Sequence, residues 1–82
     1  MNIKIYSTPT CFYCEQMKEL CRRAEVEYEL IDVGKDIFRP DFLKLYPKAQ
    51  AFPYVIIDGE EIGGLVEAAK YFMKEGLISV PK

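Results

Sequence analysis

The sequence predicts one α/β domain in which three helices pack on a mixed four-stranded sheet, in the order βαβαββα. The apolar residues switch along the chain between a period of two, typical of strands, and a period of three to four, typical of helices. An Asp-Gly pair between two apolar runs adds a hairpin signal. The chain has 82 residues, half of them hydrophobic. That length suits a single domain over residues 1–82 and leaves no room for a second.

The first half of the chain predicts a strand, a helix and a second strand. Strand one runs from Ile3 to Tyr6 and ends before the turn formers at 7–10. The helix that follows from Cys11 has an apolar stripe at steps of three and four residues, formed by Cys14, Met17, Leu20, Cys21 and Ala24. Apolar residues then alternate with glutamates from Val26, and this strand closes at Val33 before Gly34 with one face exposed. The intervening helix makes these two strands parallel.

The second half predicts a short helix, a hairpin and a last helix. Pro40 suits a first helical turn, and Pro47 ends the aromatic-rich segment that starts near Phe38. Two strands, residues 53–57 and 60–62, flank Asp58-Gly59, which supplies the positive φ of a tight hairpin. The last helix begins after Gly63-Gly64 and carries Leu65, Ala69, Phe72 and Met73, with Gly76 as its C-terminal cap.

Charge and composition exclude several function classes. The net charge is −2, and the eleven Lys and Arg residues form no basic cluster, so nucleic acid is not an expected partner. No apolar stretch approaches the roughly 18 residues that cross a bilayer, so we expect no membrane partner and a cytoplasmic protein. The absence of histidine excludes Cys-His nucleophile pairs.

The reactive motif is Cys11-Phe12-Tyr13-Cys14, which lies where strand one meets the first helix. Unpaired N–H groups and the positive end of the helix dipole favour an anion there, so we expect Cys11 to carry the thiolate. Cys14 lies deeper along the helix and stays protonated until it attacks. The motif in this context therefore predicts a redox-active Cys11–Cys14 pair. Cys11 attacks a substrate disulfide, and the resulting mixed disulfide is resolved either by Cys14 or by an external thiol.

The sequence gives less support to other roles for the cysteines. A tetrahedral zinc site needs four ligands, and only Cys21 remains beside the pair, without any histidine, so no metal site is expected. Cys21 lies on the apolar stripe and is interpreted as a small buried hydrophobe, the alternative being a secondary redox role.

The motif, together with Phe52-Pro53 before an apolar strand and Ile62-Gly63-Gly64 after the hairpin, resembles the glutaredoxins over nearly the whole chain. Phe12 replaces the usual proline of that family, as in the short bacteriophage-type members that also act as thioredoxin substitutes. The resemblance implies a thioredoxin-like fold with strand order 2-1-3-4. For a phage-encoded chain the compartment is the host cytoplasm.

The resemblance also implies a glutathione site. Pro53 is expected to follow a cis peptide bond beside Cys11, and the Phe52 backbone to pair with the substrate main chain; an ordinary trans proline is the alternative. Tyr13 is expected to line the glutathione groove. The substrate-binding set that follows from the resemblance is Thr8, Phe12, Tyr13, Phe52, Pro53, Gly64, Leu65 and Val66.

Two positions depart from the family pattern. Thr8 stands where glutaredoxins usually have a lysine for a glutathione carboxylate, and Val66 where they tend to have an aspartate for the γ-glutamyl end. Backbone N–H groups at the start of the last helix, or the charge of Arg39 or Lys48, are the candidate replacements; surface solvation is the alternative role for both cations. Exposed Phe12 is a candidate contact for a protein partner.

The resulting functional hypothesis is an enzyme, a monomeric dithiol oxidoreductase that reduces protein disulfides and glutathione mixed disulfides. The resemblance points to ribonucleotide reductase as a protein that receives the electrons. No tightly bound cofactor is expected, because glutathione is the external reductant. One alternative is a thioredoxin-like carrier that a flavoprotein thioredoxin reductase recharges. Another is a carrier in which Cys11 and glutathione hold an iron-sulfur cluster between two subunits.

Overall fold

The computed structural model describes residues 1–78 and has three layers. The sheet contains β1 (Ile3–Ser7), β2 (Glu29–Asp32), β3 (Tyr54–Ile57) and β4 (Glu60–Gly63). The helices are α1 (Phe12–Ala24), α2 (Arg39–Leu45) and α3 (Leu65–Lys74). The predicted element order βαβαββα is therefore confirmed.

The strand order is β2-β1-β3-β4, as the family resemblance implied. β1 pairs in parallel with β2, and in antiparallel with β3, in the register Tyr6 opposite Tyr54. Asp58 and Gly59 both have positive φ, 51° and 81°, so the hairpin between β3 and β4 takes the predicted tight turn.

Two apolar clusters hold the helices on opposite faces of the sheet. On one face, Ile5 and Val55 pack with Met17 of α1 and Phe72 of α3, all fully buried. On the other face, Phe42 of α2 packs on Tyr6 of β1. Successive side chains of a strand point to opposite faces of the sheet, so the residues of each strand contribute alternately to the two clusters.

The second strand begins later than its sequence pattern predicts. The alternation starts at Val26, whereas β2 starts at Glu29. Glu25 has a left-handed φ of 55°, and the Val26 N–H donates to the Cys21 carbonyl, so these residues end α1 instead of entering the sheet. Leu30 is 36% exposed, because β2 is an edge strand.

Local signals at the other helices agree with the structure. Pro40 lies in the first turn of α2, where its missing N–H leaves no hydrogen bond unmade. Gly76 has a φ of 74° just after α3, and the following Leu77 N–H donates to the Phe72 carbonyl. Within residues 1–78, the structure contains no helix with the length and apolar character of a membrane span.

Candidate functional site

Cys11 is the N-cap residue of α1. Its sulfur accepts a hydrogen bond from the Cys14 backbone N–H at 3.2 Å, which is the role that a serine or aspartate oxygen usually takes at this position. The Cys11 side chain is half-buried, so its sulfur is accessible at the end of the sheet. A sulfur that receives backbone N–H donors at a helix start can carry negative charge.

Cys14 lies on the buried side of the same turn and is only 2% exposed. Burial is the main reason why the pKa of the Cys14 thiol is raised to about 12, and the hydrogen bond with Cys11 acts in the same direction. A hydrogen bond from the Thr8 backbone and the positive charge of Lys18 act in the opposite direction. At neutral pH Cys14 is therefore a thiol, as the sequence predicts for the second cysteine.

The Phe52-Pro53 segment lies beside the Cys11 sulfur. The Phe52–Pro53 peptide bond is cis, in agreement with the family resemblance. The Cys11 thiol lies 3.8 Å from the Phe52 carbonyl oxygen, to which it donates. The antiparallel pairing of β1 with β3 brings this segment next to the start of α1, although 41 residues separate Cys11 from Phe52.

Arg39 stands over the Phe52 ring, with its guanidinium carbon 5.6 Å from the ring centroid. This distance is within the range of a cation–π contact. The sequence gives Arg39 and Lys48 as candidate cations for the site. The structure places Arg39 against Phe52, a residue of the site. The contact needs the packing of α2 on the sheet, which the sequence pattern around Arg39 does not specify.

A cavity of about 260 Å³ opens beside the dithiol. Six of the predicted substrate-binding residues line it, namely Tyr13, Phe52, Pro53, Gly64, Leu65 and Val66. Two further predicted residues, Thr8 and Phe12, are not in its lining: Thr8 directs its backbone to Cys14, and Phe12 is 69% exposed. Sequence reasoning did not identify Ala51 and Glu67, which complete the lining.

The Glu67 side chain is turned back onto the backbone. Its Oε1 accepts a hydrogen bond from the Gly64 N–H at 2.9 Å and closes the start of α3. A Cβ on Gly63 would lie 3.1 Å from the Glu67 side chain, and φ at Gly63 is 120°, so the glycine leaves room for this carboxylate. The spacing of an N-cap residue and a glutamate three residues later is the sequence signal that predicts such a cap.

Other features of residues 1–78 do not compete with this site. A larger cavity of about 520 Å³ lies between α1 and α3 near Leu77, and its lining contains no cysteine. We assign function to the smaller cavity because it is lined by Tyr13 of the dithiol motif and by Phe52, whose carbonyl oxygen lies 3.8 Å from the Cys11 sulfur. No group of three or more His, Cys, Asp or Glu side chains in this part of the chain is arranged to hold a metal ion. Cys21 is fully buried in the core.

Comparisons with known proteins agree with the geometry. The family model described as glutaredoxin matches residues 3–62. A curated relative from Clostridium pasteurianum, an uncharacterized glutaredoxin-like 8.6 kDa protein in the rubredoxin operon, is 33% identical over 66 residues. That match covers 80% of this chain and 88% of the relative.

Solved structures show the same fold. The crystal structure of a thioredoxin-like protein is 32% identical with a TM-score of 0.70, covering 87% of this chain and 97% of that protein. The buckwheat glutaredoxin–glutathione complex has a TM-score of 0.72 at 23% identity, covering 92% of this chain and 70% of that protein. The second similarity is one of fold alone.

Proposed function

This chain belongs to the glutaredoxin family and has its thioredoxin-like fold, and on that premise we propose that Cys11 and Cys14 are the catalytic dithiol of a thiol–disulfide oxidoreductase. The observation that carries the proposal is the contrast between the two sulfurs. Cys11 is accessible and receives a backbone N–H bond, whereas Cys14 is buried and protonated one turn away.

The reaction proceeds in two exchanges. The Cys11 thiolate attacks a substrate disulfide, a mixed disulfide forms at Cys11, and the first substrate thiolate leaves and takes a proton. Cys14 then loses its proton and attacks the Cys11 sulfur, which releases the second substrate thiol and leaves the Cys11–Cys14 disulfide. Two electrons pass from the dithiol to the substrate. Two glutathione molecules restore the dithiol and become glutathione disulfide.

The proposed substrates are glutathione mixed disulfides and protein disulfides, with ribonucleotide reductase as one protein acceptor. The cavity beside Cys11 supports a small peptide-like ligand, because its walls combine apolar side chains with the backbone of Phe52 and Gly64. A glutaredoxin of the same fold has been solved with glutathione. Glutathione acts here as substrate and reductant, without a tightly bound cofactor, and the cytoplasm is the proposed compartment.

A second candidate is a carrier that a flavoprotein thioredoxin reductase recharges. The observation in its favour is the side chain of Glu67, which caps α3 and so is not free for the ammonium end of glutathione. Val66 offers only an apolar side chain at the neighbouring position, and it is 59% exposed. The 32% identity to a thioredoxin-like protein points in the same direction.

Cys11→Ser and Cys14→Ser test the assigned roles on two substrates, a small glutathione mixed disulfide and a protein disulfide. We expect Cys11→Ser to abolish both activities, because no other accessible sulfur can attack. We expect Cys14→Ser to retain the first activity, in which external glutathione resolves the mixed disulfide, and to lose most of the second. Equal loss from both substitutions on both substrates would contradict the assignment.

The electron source is tested with the oxidised wild-type protein. Reduction by glutathione with glutathione reductase, followed through NADPH absorbance, is the expected result. Reduction by thioredoxin reductase and NADPH alone, without turnover in the glutathione system, would favour the second candidate.

A further inference from the structure

We propose that Lys18 is a positioning residue for the second exchange, in which its ammonium group keeps a positive charge beside the Cys14 sulfur while that sulfur becomes a thiolate. The inference rests on the proposed two-step reaction and deepens it, because it concerns only the step in which Cys14 acts.

The helix register places the two residues together. Lys18 follows Cys14 by four residues in α1, and residues four apart are neighbours on one helix face. Cys14 and Cys21 mark the centre of the buried face of α1. Lys18 lies at the edge of that face, and its side chain is only 34% exposed, a low value for a lysine on the surface of a helix.

The sheet that α1 covers contributes a carboxylate, that of Asp32. Ser7 and Asp32 are register partners at the ends of β1 and β2, and the Ser7 hydroxyl donates to the Asp32 carboxylate at 3.2 Å. Ser7 follows Ile5 by two residues in β1, so its side chain points to the same sheet face as Ile5, which is the face that α1 covers. From the β2 side, the negative charge of Asp32 acts on Lys18.

The charged groups around Lys18 keep it protonated. Glu15, on its own helix, lies 3.1 Å from the ammonium nitrogen. The hydrogen bond with Glu15, and the negative charges of Glu15 and Asp32, outweigh the effect of partial burial and raise the pKa of Lys18. The groups that act on the charge of Cys14 are Cys11, the N-cap residue, Lys18 of α1 and the Thr8 backbone, and among them Lys18 is the cation.

The buried thiol explains why a cation is useful at this point. Attack on the mixed disulfide requires the thiolate, and burial disfavours the charged form of Cys14. A lower thiol pKa gives more thiolate but a weaker nucleophile, and with a Brønsted coefficient of about 0.4–0.5 the net gain is about threefold for each pKa unit.

The test uses dithionitrobenzoate as the probe disulfide, because it separates the two exchanges. Cys11 attacks it and releases one coloured thionitrobenzoate; Cys14 then attacks the mixed disulfide at Cys11 and releases the second. Lys18→Met removes the charge and keeps the apolar stem, whereas Lys18→Arg keeps the charge and changes the shape. We expect Lys18→Met to slow the second release by up to about threefold at pH 7, the effect of one pKa unit, with the first release unchanged.

Lys18→Arg is expected to restore the second release to within twofold of wild type. Glu15→Gln is the matched control, because it breaks the same ion pair and leaves the lysine charge in place; its second release should be as fast as wild type or faster. An unchanged second release in Lys18→Met, or equal slowing in Lys18→Met and Lys18→Arg, would overturn the inference.

Failure of the proposed reaction itself gives a different result. Wild-type protein would then release a single thionitrobenzoate, as Cys14→Ser is expected to do, and no second phase would exist to compare.

Discussion

Only two residues separate Cys11 from Cys14, and the first turn of α1 gives the two sulfurs different surroundings. Cys11 caps the helix and points to the surface beside the Phe52 carbonyl, whereas Cys14 points into the core. The difference comes from the helix geometry, because residues at the N-cap and at the third helical position face different environments. The same geometry underlies the proposed order, in which Cys11 attacks first and Cys14 acts second.

Arg39 is the residue by which a carboxylate-bearing substrate is expected to be held. Arg39→Gln should raise the KM for a glutathione mixed disulfide about threefold to tenfold with little change in kcat. An exposed ion contact or cation–π contact contributes about 0.5–1 kcal/mol, and a partly desolvated contact contributes more. Steady-state kinetics at low ionic strength measure the effect. Lys44→Gln, which removes a charge from the last turn of the same helix, is the control and should leave KM within twofold. Equal effects of the two substitutions would assign the change to net charge alone.

At the scale of elements, α2 is fixed by an aromatic cluster. Phe42 lies 4.9 Å from the Tyr6 ring and 5.3 Å from the Phe52 ring, so one helix residue links β1 to the segment beside the active sulfur. Tyr46 contacts the rings of Tyr6 and Tyr54. Aromatic rings bury much area and adopt defined relative orientations, which allows a helix of only seven residues to hold its place.

The hydroxyl groups of this cluster predict a loss of stability in alkali. Burial, then hydrogen bonding to Tyr46 and to Glu61 respectively, raises the pKa of Tyr6 and of Tyr54 from 10.0 to about 12. Because the folded state holds both groups neutral, their contribution is complete below pH 10 and is lost as the pH rises towards 12. Urea unfolding at pH 9 and pH 11 measures it.

Tyr54→Phe should lessen this pH dependence, because the ring remains and the ionisable hydroxyl is gone. It should also lower the free energy of unfolding at pH 9 by about 1 kcal/mol, the usual value of one hydrogen bond. The same decrease between pH 9 and pH 11 in wild type and Tyr54→Phe would show that the hydroxyl does not contribute.

At the scale of the whole molecule, β2 and β4 are the two edge strands of the sheet formed by residues 1–78. Both strands begin with glutamate, Glu29 in β2 and Glu60 in β4, and both of these side chains are exposed. Charges on edge strands oppose pairing with a second sheet. This arrangement supports the expectation of a monomer.

Glu29→Thr combined with Glu60→Thr should promote association, because both edges lose a charge and gain a residue that favours strands. Sedimentation velocity over a range of concentrations is the measurement, with wild type expected to remain monomeric. Glu15→Thr combined with Glu75→Thr removes the same charge from helix surfaces and should stay monomeric. Association of this second pair would show that net charge, and not the edge, controls the oligomeric state.

Much of this molecule follows from neighbours in the chain. Cys11 at a strand–helix junction, Pro40 in a first helical turn and Asp58-Gly59 between apolar runs each act through local backbone geometry, so the element order and the candidate dithiol could be predicted. The strand order and the cis bond before Pro53 came from the family resemblance. The start of β2 could not be predicted, because the alternation at Val26 has the period of a strand although its N–H completes the end of α1.

The tertiary structure alone decided which distant side chains meet. Arg39 lies over Phe52 because α2 packs on one face of the sheet, and the Ser7 hydroxyl donates to Asp32 because the register of β1 and β2 brings the two residues together. Glu67 turns away from the cavity because the start of its own helix leaves an N–H group to be bonded. The sequence by itself determines a pair of cysteines at a helix start, which is the candidate redox dithiol. Its surroundings depend on contacts between residues far apart in the chain, which periodicity and spacing do not encode.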